Sequence, residues 1–169
     1  MDWYALKSKV WNVDVNAEVA NKWLDFVLEE GAWLIETYHV VSPDRATGYY
    51  YDTSISDFEA HLAYLSSQNV WVDTQQNVAK YIIEREATKL RLSPLSQDKV
   101  KLVLENKLDA KIHNQTLTLR TLVPPAWSGV MVRQAEDVQE VLPVKVEGKR
   151  YIYYDVLPAK GEIILAPTG

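Results

Sequence analysis

The residue periodicity switches once, near Thr88, and that switch limits what the chain can fold into. Before it, helical and strand patterns alternate; after it, short strands and turns run to the end. From Asn16 to Glu30 the spacing is helical, with Val19, Trp23 and Val27 in one row and Ala20, Leu24 and Leu28 beside it. Asn16 suits an N-cap and Gly31 a C-terminal stop. Residues 33–41 predict a strand, with Trp33, Ile35, Thr37 and His39 on one face and Leu34, Glu36, Tyr38 and Val40 on the other. A tyrosine-rich loop, SPDRATGYYYDTSI, follows. The run Ser56-Asp57-Phe58-Glu59 predicts a capping box for a helix that buries Phe58, Leu62 and Leu65 and stops at Asn69. Val70-Trp71-Val72 predicts a short buried strand. Asp73, with Gln76 three residues on, predicts the start of a third helix with the stripe Val78, Ala79, Ile82 and Ile83.

Strands joined through helices imply parallel pairing in an α/β layer or barrel. Two clear strands, or three counting residues 3–13, are few for a parallel sheet standing alone. From Lys89 onward, LRLSPL, KVKLVLEN, QTLTLRTLV, GVMVRQ, EVLPVKVEG, KRYIYYDVL and GEIILAP are strand-like segments. Turns are expected at 107–114, 124–129, 148 and 158–161. The expected organisation is an α/β region over residues 1–87 and a small antiparallel β-sandwich domain over 88–169.

Composition removes several function classes. A net charge of −5 with no basic run argues against nucleic acid as a partner. The absence of cysteine removes disulfides, thiolate catalysis and thiolate metal sites. No apolar run reaches membrane-spanning length, so a soluble protein with no membrane partner is expected. The opening residues MDWYALKSKVW lack the features of a signal peptide, which leaves the compartment open between an intracellular protein and a mature or truncated form. Six Trp and ten Tyr are enough both to pack cores and to form platforms for sugars.

The segment GAWLIETYHVV, the loop after it, and FEAHLAYLSSQNVWVDTQQNVAKYIIER resemble the C-terminal part of polysaccharide deacetylase-like proteins. Members of that family carry a Gly-x-Trp strand ending in histidine, a Phe-Glu-x-His-Leu helix, a Val-Trp-Val strand and a Val-Ala-x-Tyr helix. These stand here at Gly31 to His39, Phe58 to Leu62, Val70 to Val72 and Val78 to Tyr81. The β segment with LTLRTLVPPAW is similar to an appendage in some relatives. The resemblance implies a partial (β/α) deacetylase-like barrel, and a family that removes acetyl groups from sugars with a divalent metal. The family's Asp-Asp pair and His-x-x-x-His metal motif are absent, since the histidines are His39, His61 and His113. Only the family's late histidine maps, onto His39, where the resemblance implies a general acid. A lone acid without metal or base cannot activate water in that way. No metal or other cofactor is therefore predicted for this chain.

Each candidate residue has a functional and a structural meaning. His39 ends a predicted strand, where α/β layers place their sites, or it is a hydrogen-bonded histidine at a core edge. Glu36 is a cleft acid or a member of an ion pair. Asp44 and Asp52 flank the tyrosines and supply either paired carboxylates for glycoside cleavage or ordinary loop acids. Tyr49, Tyr50 and Tyr51, with Trp33, Tyr38 and Trp71, are the candidate sugar platforms. Glu59 and Asp73 are expected to cap helices, and His61 to pack on its helix. The functional expectation is a carbohydrate-active hydrolase on oligo- or polysaccharides. It is either deacetylase-like with a partner supplying the metal site, or a metal-independent glycosidase. The alternative is a non-catalytic carbohydrate-binding module or an inactive fragment of a larger deacetylase. Uncovered barrel edges predict a homo-oligomer or a missing N-terminal barrel partner.

Overall fold

The computed structural model describes residues 5–168. They form two compact units that meet in sequence at Val72 and Asp73. The expected change of character near Thr88 lies beyond the third helix, which groups with the second unit.

The first unit contains β1 (Lys9–Val10), α1 (Ala17–Glu30), β2 (Glu36–Thr37), β3 (Val40–Ser42), β4 (Asp52–Ser54) and α2 (Ile55–Ser66). β1 and β2 pair in parallel, Lys9 opposite Glu36 and Val10 opposite Thr37, with α1 crossing between them. That is the helix-linked parallel pairing the sequence implies. α1 starts where Asn16 accepts a hydrogen bond from the Val19 N–H at 3.0 Å. It stops at Gly31, whose left-handed φ of 61° is cheap for glycine. Its buried row is Ala20 and Leu24. Ala20 joins Trp11 and Val15 in a small core flanked by Val19, Trp23 and Tyr38.

Three expectations for this unit are corrected. The single strand over 33–41 is two short pieces, because pairing passes from β1 to β4 around Tyr38 and His39. Without a neighbour, a strand has no ladder partners for its N–H and C=O groups. α2 begins two residues before the predicted box, because Ser54 is the cap and accepts from the Asp57 N–H at 3.1 Å. On this helix His61 is fully buried and Leu62 exposed, with Phe58 and Leu65 half-buried. Val70, Trp71 and Val72 are not a strand; they are irregular, and Trp71 and Val72 are exposed.

The second unit opens with α3 (Gln75–Ala87), capped by Thr74 rather than Asp73. Asp73 instead accepts from the Thr74 N–H and from Asn77 Nδ2, beside the cap. The expected stripe on α3 is half-buried, and the one fully buried residue of the helix is Glu84. Eight strands follow: β5 (Lys89–Ser96), β6 (Lys99–Glu105), β7 (Leu117–Leu122), β8 (Val130–Gln134), β9 (Asp137–Val141), β10 (Val144–Val146), β11 (Lys149–Val156) and β12 (Ile163–Pro167). They form an antiparallel sheet ordered β5-β6-β12-β8-β9 and another ordered β10-β11-β7. EVLPVKVEG supplies two strands, because Pro143 has no N–H to continue the ladder.

Both sheets contribute to one apolar core. Leu102, Leu104, Val130, Val132, Ile163 and Leu165 come from the larger sheet and Ile152, Tyr154 and Val156 from the smaller, with Trp127 from a connecting loop. The larger sheet is wider than its cover. Leu90 and Leu92 sit opposite the buried Leu104 and Leu102 on the same face, yet are 53% and 58% exposed. Among the described residues no set of strands closes into a barrel, and the two parallel pairs remain separate two-stranded sheets. Nor is any described helix long and apolar enough to cross a membrane.

Candidate functional site

His39 lies at the bend just past the C-terminal end of β2, exposed to solvent. Its imidazole packs on Tyr51, with ring centroids 4.9 Å apart. Tyr51 in turn meets Tyr50 edge-on at 5.0 Å and Tyr49 at 5.6 Å. Tyr49 and Tyr50 are half exposed, so the four rings make an open aromatic ledge. Its outer tyrosine is tethered: the Tyr50 hydroxyl donates to Asp14 at 3.0 Å and accepts from Asn12 Nδ2 at 3.3 Å. The bond to Asp14 holds the Tyr50 phenol above its ordinary ionisation range. Tyr50 C=O also accepts from the Val13 N–H at 2.9 Å, which fixes the loop backbone beneath the rings.

The loop carrying these tyrosines is wound around Asp52. Asp52 is fully buried; Ser42 Oγ donates to both its oxygens, at 2.7 and 2.9 Å, and the Thr47 N–H donates at 3.1 Å. The Thr47 hydroxyl adds a further bond. Burial alone would raise the pKa of this carboxyl. The bonds from Thr47 and Ser42 and the nearby Arg45 cation outweigh it and hold the pKa below the usual carboxylate range. Asp44 and Arg45 both adopt left-handed backbone, φ 46° and 57°, which is unusual for residues with a Cβ. Arg45 reaches across to the Val15 carbonyl at 3.1 Å and Asp57 at 3.2 Å. Asp57 also accepts from the Ala17 N–H at 3.1 Å, so one carboxylate serves the start of both α1 and α2.

Glu36 points the other way, into the unit. Its Oε2 lies 3.1 Å from Nε2 of the fully buried His61 and accepts from the Tyr38 hydroxyl at 3.4 Å. Its Oε1 accepts from Trp11 Nε1 at 3.3 Å. Asn21 completes the imidazole on the Nδ1 side at 2.8 Å. Trp11 stacks on Tyr38 at 5.1 Å, and the network is walled by these rings. Burial, then the Glu36 charge, push the Tyr38 phenol far up. Glu36 and Tyr38 share a face, as strand alternation requires, and that face is turned inward.

The structure therefore divides the predicted site residues. It joins His39 with Tyr49, Tyr50 and Tyr51. Glu36 and Tyr38 belong to the buried network, and Asp52 to the loop's interior; Asp44 is exposed on the strained turn. Trp33 is half-buried with no ring contact to the ledge among the described residues, and Trp71 lies exposed in the segment after α2. Sequence reasoning missed Asn12, Asp14 and Trp11, which are far in sequence from the residues they serve. It also missed Glu84, which is fully buried and accepts from the Gln115 N–H at 2.9 Å. A cleft of about 190 Å³ in the second unit, lined by Thr116, Gln134, Asp137, Gln139 and Asp155, contains none of the predicted residues. Among the described residues no group of three or more histidine and carboxylate side chains is placed to hold a metal ion. The donors among the described residues thus do not fit the divalent metal that the deacetylase resemblance implies.

The chain is 24% identical over 100 residues to a gellan lyase from a Bacillus species. The match covers 59% of this chain and 4% of that protein, so the chain spans a small part of the relative's length. No protein-family description matches the chain, and no solved structure matches it.

Proposed function

We propose that this chain is part of a polysaccharide-acting protein of deacetylase-like descent, and that its first unit holds the saccharide on the ledge of His39, Tyr49, Tyr50 and Tyr51. The observation that carries it is the packing of an exposed histidine on a partly exposed tyrosine cluster at the C-terminal end of a parallel strand. Apolar faces of sugar rings stack on such rings, while hydroxyls find the polar edges of tyrosine and histidine. The gellan lyase relative supports a carbohydrate ligand by its name alone. In this reading the first unit is a piece of a deacetylase-like barrel and the second is a β-sandwich.

In this reading His39 donates a proton to a departing sugar oxygen or nitrogen. The base that would activate water comes from another segment, because Glu36 is committed to His61 and Asp52 to the loop. Asp44 remains as an exposed carboxylate, and one carboxylate is not the pair that glycoside cleavage uses. Geometry thus favours an acid-bearing, substrate-holding half over a self-sufficient glycosidase. The second reading, a non-catalytic carbohydrate-binding module, rests on the same ledge.

Purified protein assayed for acetate release from acetylated oligosaccharides and for cleavage of nitrophenyl glycosides, with binding followed by NMR, tests this. Binding is expected to weaken about five-fold in Tyr51→Ala, from lost ring stacking. Binding without turnover fits both readings, since the base comes from another segment, and turnover by this chain alone would overturn that assignment. Failure to bind any acetylated or plain oligosaccharide would overturn both.

A further inference from the structure

The outer face of the smaller sheet presents a second set of rings. Strand alternation turns Lys149, Tyr151, Tyr153 and Asp155 of β11 away from the core, since Ile152, Tyr154 and Val156 are buried within it. Register places Tyr153 opposite Arg120 and Asp155 opposite Thr118 on β7. Tyr153 is 43% exposed. The Arg120 guanidinium lies over the Tyr151 ring, 4.8 Å from its centroid, a diagonal cross-strand contact that holds the cation in place. Arg120 has no carboxylate partner among the described residues, although the chain as a whole carries a net charge of −5. Lys149 adds a second cation to the same face, and Asp155 at the far end is held by the Thr118 hydroxyl at 2.6 Å.

This sheet face carries an open ring, a pre-positioned guanidinium beside it, a second cation on the same strand, and the exposed apolar side chains Leu122, Val144 and Val146, a mixture suited to a sugar that bears an acid group. The ring stacks on a sugar, and the planar fork of arginine takes a carboxylate. We propose that the outer face of the β10-β11-β7 sheet binds an acidic, carboxylate-bearing polysaccharide, with Tyr153 as the stacking platform and Arg120 as the carboxylate partner. Tyr151 is a positioning residue that acts through Arg120. This goes beyond the ledge of the first unit: it rests on the general carbohydrate reading but concerns a different surface and a charged ligand.

Affinity electrophoresis of the full chain through gels containing polygalacturonate or neutral dextran tests it, with Tyr153→Ala, Arg120→Gln, Lys111→Gln and Tyr51→Ala alongside. Retardation by polygalacturonate and not by dextran is expected, weakening with added salt. Tyr153→Ala and Arg120→Gln should each raise the apparent Kd at least five-fold, and Lys111→Gln, which removes an exposed loop cation outside the β10-β11-β7 sheet, should leave it unchanged. The Tyr153 and Arg120 side chains lie on the exposed face, and circular dichroism confirms that the variants fold. No retardation by polygalacturonate overturns the proposal, as does equal retardation by dextran. Loss in Tyr51→Ala with none in Tyr153→Ala also overturns it, while leaving the ledge of the first unit standing. Unchanged binding in Arg120→Gln overturns the assigned role of the guanidinium.

Discussion

At the scale of single residues, the carboxylates decide what this chain can do by where they are held. Asp52 and Asp44 are eight positions apart on one loop, and sequence gives them equal standing as catalytic acids. Only the fold shows that Ser42 and Thr47 close around Asp52. Its folded pKa is depressed, so its contribution to stability is complete above the unfolded pKa and is lost as pH falls through the folded value. Thermal melts from neutral to acid pH are expected to show a falling midpoint in the wild type and a flatter acid limb in Asp52→Asn. Equal slopes in the two proteins would refute the assignment. Glu36 and His61 form the other commitment. His61→Ala leaves a half-walled carboxylate without its nitrogen partner and should cost about 3 kcal/mol, read by chemical denaturation. The His61–Glu36 contact spans 25 positions, and although both residues lie in the runs that carry the resemblance, neither run names the other as its partner. The ledge was more legible, because His39 and its tyrosines are carried by one strand end and the loop that follows.

At the scale of elements, local chemistry set most of the helix ends. Asn16 and Gly31 act where cap preferences put them. Asn16→Ala should cost about 1 kcal/mol, measured in the same denaturation experiment. The start of α2 was misplaced because Ser54 and Ser56 are both competent caps, and tertiary bonds chose between them. Ser54 donates to Asp57 at 2.6 Å while Arg45 holds the same carboxylate oxygen from outside the helix. A local motif cannot register that preference. Val70-Trp71-Val72 failed differently: its residues suit a strand, yet the segment is irregular, and β propensity alone does not make a strand. The strands after Lys89 were readable because consecutive ones pair through short turns, as β5 with β6 and β8 with β9.

At the scale of the whole molecule, two separate apolar clusters imply two cooperative units. Calorimetry is expected to show two transitions, the broader from the smaller core of the first unit. A single transition with equal calorimetric and van't Hoff enthalpies would contradict this. The expected barrel was the least legible feature of the sequence. Helix-linked parallel pairing is read from one β-α-β stretch, as in β1 and β2, whereas barrel closure is a property of many strands together, and among the described residues the parallel pairs stay two-stranded. The overhang of the five-stranded sheet has a practical consequence. Leu90 and Leu92 stand on an outermost strand whose backbone groups on one side have no ladder, which invites chains to add on, strand to strand, as concentration rises. Concentration-dependent association of the wild type in light scattering is expected, and Leu92→Lys should suppress it, making this strand the place to intervene when the protein must be kept in solution.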